Sequence, residues 1–146
     1  MKIHQLSLFL ENKPGQLMEP CRLLAEAGID IRTLTLADTE EFGILRLIVS
    51  DWREGARVLQ KASYAVNVTE VVAVEVLDRP GGLAALLRVF ENTDTNIEYM
   101  YAFTFGRGVT AVMIFRFDNP DTAIERLQAA GVNVVESLEL ARRIEQ

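Results

Sequence analysis

Two short segments, Asn12-Lys13-Pro14-Gly15-Gln16-Leu17 and Asp78-Arg79-Pro80-Gly81-Gly82-Leu83, share the pattern Asx, basic, Pro, Gly, any residue, Leu. The chemistry they offer is polar recognition, not bond breaking. The start of a helix presents N–H groups without intrahelical partners and the positive end of the dipole, both of which suit a carboxylate. Gly15, Gly81 and Gly82 have no Cβ, so a ligand can approach the backbone closely. The side chains of Asn12 and Asp78 can accept hydrogen bonds beside those donors. The same residues also make good turns, and an Asx side chain can cap the helix that it precedes. A binding loop and a plain turn are both open on these residues alone.

Other site chemistries have little to work with. Cys21 is the single cysteine and His4 the single histidine, so one chain cannot assemble a disulfide framework or a Cys/His zinc site, and no metal or cofactor is implied. His4 lies in phase with Leu6 and Leu8, as a partly buried strand-end residue would. Cys21 falls on the apolar stripe of a helical segment and reads as a small core hydrophobe. Trp52 reads as local packing in the first turn of a helix. Gly106-Arg107-Gly108 reads as a tight hairpin turn, because a strand follows it where a phosphate loop would need a helix. The formal charge of −6 opposes binding to a phosphate backbone. Nowhere do ~18 consecutive apolar residues occur. The expectation is a soluble cytoplasmic protein with no nucleic-acid or membrane partner.

The two loops lie 66 residues apart, and the same shift carries Leu6, Leu8 and Leu10 onto Val72, Val74 and Val76, Asp30-Ile31 onto Asn96-Ile97, and Val66-Asn67-Val68 onto Val132-Asn133-Val134. Asp51 and Asp118 differ by 67, so a small length change separates the copies. Each copy reads as strand, helix, strand, strand, helix, strand. In the first, a strand over Ile3 to Leu10 alternates apolar and polar residues. A helix over about Gln16 to Ala27 carries Leu17, Cys21 and Leu24, with Gly28 placed to stop it. A hairpin of strands runs from Asp30 to Ala37 and from Ile44 to Ser50, and Asp51 with Glu54 resembles a capping box for a helix to about Ala62. In the second copy the helix stripe is Leu83, Leu86, Leu87 and Phe90. Asn119-Pro120 opens a second helix whose buried side is Ala123, Leu127 and Ala130, and a strand from Val132 to Leu138 closes the unit.

Right-handed crossovers in each strand-helix-strand step put both helices on one face of an antiparallel sheet. The fold class is α+β: two ferredoxin-like βαββαβ units in tandem, spanning 1–69 and 70–138, with a C-terminal tail over 139–146. One feature is asymmetric. Ile97, Tyr99, Tyr101, Phe103 and Phe105 share one face of a strand, where the first copy has Ile31, Thr33 and Thr35. A stripe facing away from the helices would need cover, and a homodimer is the expected cover.

The run strand, Asp78 to Leu83, apolar helix, Asn96-Ile97 resembles the ACT domain family over essentially the whole chain, as two copies. The first copy departs from the family pattern with Asn12 for Asp, Lys13 for Arg and Asp30 where Asn is common. The resemblance implies a regulatory module: such domains commonly sit on biosynthetic enzymes, stand-alone chains act as sensors or regulatory partners, and the ligand is a free amino acid held between two paired units near the first loop. It implies ligand-binding roles for Asn12 to Leu17, Asp30, Ile31, Asp78 to Leu83, Asn96 and Ile97. An amino acid presents an ammonium beside a carboxylate, which matches an Asx acceptor beside helix-start donors. The expected function is a non-enzymatic sensor binding a free amino acid, with a metabolic enzyme as possible partner. The alternative is a protein-interaction module without a ligand.

Overall fold

A computed structural model describes residues 1–103 and 109–144, and the chain separates into two compact units, His4–Thr69 and Glu70–Gln146 with Met1–Ile3. The first holds β1 (Lys2–Glu11), α1 (Met18–Glu26), β2 (Ile31–Asp38), β3 (Phe42–Val49) and α2 (Trp52–Lys61), and ends in the opening of β4 (Val66–Leu77). Its strands run in the order β2-β3-β1, every pair antiparallel. Alternation decides the faces: Leu6, Leu8 and Leu10 of β1 and Leu45, Leu47 and Val49 of β3 join Leu24 of α1 and Ala56 and Leu59 of α2 in one buried cluster. Both helices therefore cover one face.

Local signals place the helix ends. Asp51 accepts a hydrogen bond from the N–H of Glu54 at 3.1 Å, as a capping residue should. At the end of α1, Gly28 takes φ +70°, and the Ile29 N–H reaches back to the Leu24 carbonyl at 2.9 Å, a helix stop that favours glycine. The stripe on α1 is narrower than its spacing predicts. Leu24 and Pro20 are buried, Cys21 is half-buried, and Leu17 is exposed. The ring of His4 stacks on Trp52 at 4.3 Å.

The second unit repeats the plan with α3 (Gly82–Leu87), β5 (Ile97–Ala102), β6 (Thr110–Phe117), α4 (Pro120–Ala129), β7 (Val134–Val135) and α5 (Ser137–Ile144). Strand β4 lies between β6 and β7, and β5 pairs with the far side of β6, all antiparallel. Val72, Val74, Val76, Phe115 and Phe117 pack under Leu86, Phe90, Ala123, Ile124 and Leu127. Asn119 caps α4 by accepting from the Thr122 N–H at 3.2 Å, with Pro120 at the first helical position.

Four details differ from the pattern-based expectation. The helix expected through Phe90 is α3 followed by a 3₁₀ turn, Arg88–Phe90. On α4 the buried side uses Ile124 and leaves Ala130 exposed. The closing strand shrinks to Val134–Val135, because the helix-forming run from Ser137 takes over and buries Leu140. The repeat also slips in its second half. Asp51 corresponds to Asn119 as N-cap, and Ser63 to Gly131 as the positive-φ residue after the helix, both 68 residues on, so the second copy's hairpin is two residues longer. Val66 thus corresponds to Val134, two residues beyond the match by residue type.

The aromatic stripe divides at a bulge. Ile97 pairs with Phe117 and Tyr99 with Arg116, which turns Ile97 and Met100 toward the core under the helices and leaves Tyr99 and Tyr101 on the opposite face. There Phe103 is 5% exposed, and Val71, Ala73, Val112 and Ile114 are also buried. Tyr99 and Tyr101 themselves are half-buried. Phe105 and the expected turn at Gly106-Arg107-Gly108 lie outside the described residues.

Candidate functional site

Each strand-to-helix loop is a type II turn, whose third residue needs positive φ and whose second accepts proline. The Gly82 N–H donates to the Arg79 carbonyl at 2.9 Å, and the Gln16 N–H to the Lys13 carbonyl at 3.4 Å. Gly81 and Gly15 take φ +83° and +84°. The loops leave their strands alike: the Arg79 N–H bonds Leu77 O at 3.0 Å, and the Lys13 N–H bonds Glu11 O at 2.8 Å. Beside them the Asp78 N–H bonds Val109 O and the Asn12 N–H bonds Glu41 O, which ties each loop to its neighbouring hairpin.

The Asx side chains do not act as caps. The N-cap positions of α1 and α3 are Leu17 and Gly81, and neither helix start receives a side-chain hydrogen bond. Asp78 and Asn12 are exposed, and among the described residues neither side chain holds a hydrogen bond or an ion pair. Their acceptor oxygens face water. Lys13, by contrast, is tied to Glu11 at 2.9 Å.

Gly82 is required by packing. A Cβ at this position would overlap the carbonyl oxygen of Leu77 and stand 2.9 Å from its carbonyl carbon. The first copy carries Gln16 at the matching position, with a side chain where the second has none. The difference shows in the space beside each loop. In the second unit a cleft of about 450 Å³ lies against Gly82, with Glu75, Thr110 and Asn133 as polar groups and Val76, Leu77 and Leu86 among the apolar ones. In the first, a cleft of about 170 Å³ is bounded by Asn12, Lys13, Gln16, Leu17, Leu36 and Asp38. The larger is within the usual size range of small-molecule sites and the smaller is below it.

Pattern reasoning missed Glu75, Thr110 and Asn133. Asn133 donates to Glu75 at 2.6 Å, and Arg143 stands 3.5 Å from the same carboxylate. The Asn133 hydrogen bond, with Thr110 and Arg143 adding to it, holds the Glu75 carboxyl below its ordinary value. Nothing in the spacing of these residues points to one another, since they meet only where β7 begins.

The other predicted residues lie elsewhere in their units. Ile31 pairs with Val49, whereas Glu11 pairs with Phe42. Asp30 and Ile31 are thus at the opposite end of the eight-residue strand β3 from Asn12, roughly 23 Å away at ~3.3 Å per residue. Asn96 and Ile97 have the same relation to Asp78 through β6, and they line a separate cleft with Leu87, Arg88 and Thr95. Asp30 is held by Arg32 at 3.0 Å. Within a unit the structure groups Asn12 to Leu17, and Asp78 to Leu83, without Asp30 or Asn96.

No helix among the described residues is long and apolar enough to cross a membrane. Comparison with known proteins gives consistent results. The chain is 25% identical over 144 residues to the acetolactate synthase small subunit of Mycolicibacterium smegmatis, covering 97% of this chain and 79% of that one. A crystal structure of a protein from Bacteroides thetaiotaomicron is 38% identical and superimposes with a TM-score of 0.88, covering 96% of each chain. The regulatory subunit of aspartate kinase from Thermus thermophilus, in a ligand-free form, shares the fold at 17% identity, with a TM-score of 0.62 and coverage of 87% and 91%. The family model described as an ACT domain pair matches residues 1–144, and the chain belongs to that family.

Proposed function

We propose that this protein is a non-enzymatic cytoplasmic regulator that binds a free amino acid at the Asp78–Leu83 loop of its second unit. The observation that carries the reading is the Asp78 carboxylate, released from capping and pairing, at the mouth of a turn whose Gly82 borders a cleft of about 450 Å³. A carboxylate in that state can take an ammonium, and the polar rim of Thr110 and Asn133 supplies donors and acceptors for the rest of the molecule. The first unit, with Asn12 for Asp78, Lys13 tied to Glu11 and a cleft of about 170 Å³, is the weaker site. The partner is a metabolic enzyme, a reading supported by the likeness to a small subunit of acetolactate synthase. His4 and Cys21 fit a non-catalytic protein: one ring is stacked on Trp52, and burial pushes the thiol above its ordinary value.

The test is a thermal-shift screen of the common amino acids against wild type and Asp78→Ala. A ligand at 100 times its dissociation constant adds about 2.7 kcal/mol of stability. Asp78→Ala leaves the unliganded protein within ~0.5 kcal/mol of wild type, because no cap is lost. It removes about 1.5 to 3 kcal/mol of binding, the worth of a hydrogen bond to a charged group. If no amino acid at millimolar concentration shifts the wild-type transition, the ligand-free interaction module takes the place of this reading. An unchanged shift in Asp78→Ala removes Asp78 from the site.

A further inference from the structure

Glu75 stands between the cleft of the second unit and the C-terminal helix. On the cleft side its Oε2 accepts from the Asn133 amide at 2.6 Å, and the carboxylate also takes the Thr110 hydroxyl. Asn133 and Thr110 both line the cleft. On the other side Arg143 of α5 approaches Oε1 at 3.5 Å. That contact is loose, and Arg143 has a second acceptor: its Nε lies 3.1 Å from Glu139, one turn back on the same helix. Arg143 can therefore shift from one carboxylate to the other without losing a charge partner. The helix that carries it is lightly anchored. Of residues 137–143, Leu140 alone is buried, and a helix of eight residues is marginal without packing.

Asp78 has no side-chain partner among the described residues, so it is the acceptor open to an ammonium, whereas Glu75 is already supplied with donors. An amino acid held that way turns its carboxylate to the rim of the cleft, where the side-chain donors are the Thr110 hydroxyl and the Asn133 amide. Those are the donors that Glu75 uses. Filling the cleft takes hydrogen bonds from Glu75 and sets a like charge beside it, and both changes raise its need for a cation. Among the described residues, that cation is Arg143. We infer, resting on the reading of the cleft as an amino-acid site, that α5 reports its occupancy: a bound amino acid draws Arg143 from Glu139 onto Glu75 and fastens the C-terminal helix to the unit. Arg143 is a positioning residue, acting on the bound molecule only through Glu75. The coupling is reciprocal, so a fastened α5 tightens amino-acid binding by the same factor.

The experiment uses the full chain and the common L-amino acids, each at millimolar concentration. Whichever of them raises the wild-type melting temperature is then titrated into the variants. Arg143→Ala, at a position outside the cleft lining, binds it at least about fivefold more weakly and keeps the circular dichroism spectrum. In a Glu75→Gln background Arg143→Ala has no further effect, because no carboxylate is left to neutralise. Amide hydrogen exchange over Ser137–Ile144 slows at least about fivefold when that amino acid is added to wild type, and does not respond to it in Arg143→Ala. If no amino acid shifts the wild type, the reading of the cleft fails and the coupling fails with it. If one binds, three results overturn the coupling alone: Arg143→Ala binds as tightly as wild type, the loss is the same in the Glu75→Gln background, or exchange over α5 ignores the amino acid in wild type.

Discussion

Substituting Gly82 by alanine separates a glycine needed for packing from one needed for backbone conformation. A Cβ at position 82 overlaps the Leu77 carbonyl oxygen and lies 2.9 Å from the carbonyl carbon. The obstacle is backbone, which cannot rotate aside as a side chain can. The start of α3 must move away from the end of β4, loosening Leu86, which is 6% exposed in the core. Overpacking of this kind costs ~3 kcal/mol. For a chain of this size each kcal/mol lowers the melting temperature by roughly 2 to 4 °C, so Gly82→Ala lowers it by roughly 6 to 12 °C. Gly81 is the control: it has φ +83° and open space, with nothing within 4 Å of where a Cβ would stand, so Gly81→Ala costs only the left-handed penalty of about 1 to 2 kcal/mol. Gly15→Ala, with φ +84° and open space, behaves like Gly81→Ala. Thermal unfolding followed by circular dichroism gives the ranking directly. If Gly82→Ala melts within ~1 °C of wild type, or above Gly81→Ala, the close approach of helix and strand is not there.

Asp51→Ala and Asn119→Ala each remove a side-chain cap and lower stability by ~1 kcal/mol in urea unfolding, whereas Asp78→Ala and Asn12→Ala do not. Glu75 has its carboxyl held below the ordinary value in the folded state, first by Asn133. Its contribution is therefore complete above the unfolded-state value near ~4.3 and is lost as pH falls through the folded one. Wild type exceeds Glu75→Gln in stability at neutral pH, and the gap narrows as pH is lowered below about 4; a gap independent of pH contradicts the assignment.

Alternating leucines and valines, the Pro-Gly turns, the Asx caps and the glycine stop after α1 are local codes. Each is set by the period of a strand or by the backbone geometry of one or two residues, so the order of elements, their faces and the doubling of the unit were legible in the sequence. The role of Asp78 was not, because a cap and a free carboxylate require the same residue. The choice depends on where the helix begins, and α3 begins at Gly82 with Gly81 as its N-cap, which leaves Asp78 outside the capping position. Nor was the length of the last strand legible. Val132 to Leu138 alternates acceptably, yet the helix-forming run from Ser137 wins once Leu140 has a buried place. Tertiary structure alone set Asp30 and Asn96 at the far end of the sheet from the loops, since an antiparallel hairpin returns the chain by a full strand length. It also brought Glu75 of β4, Asn133 from the turn before β7 and Arg143 of α5 together with no shared spacing. Periodicity reports which face a residue occupies, but distance along a sheet and meetings between elements follow from pairing register and packing.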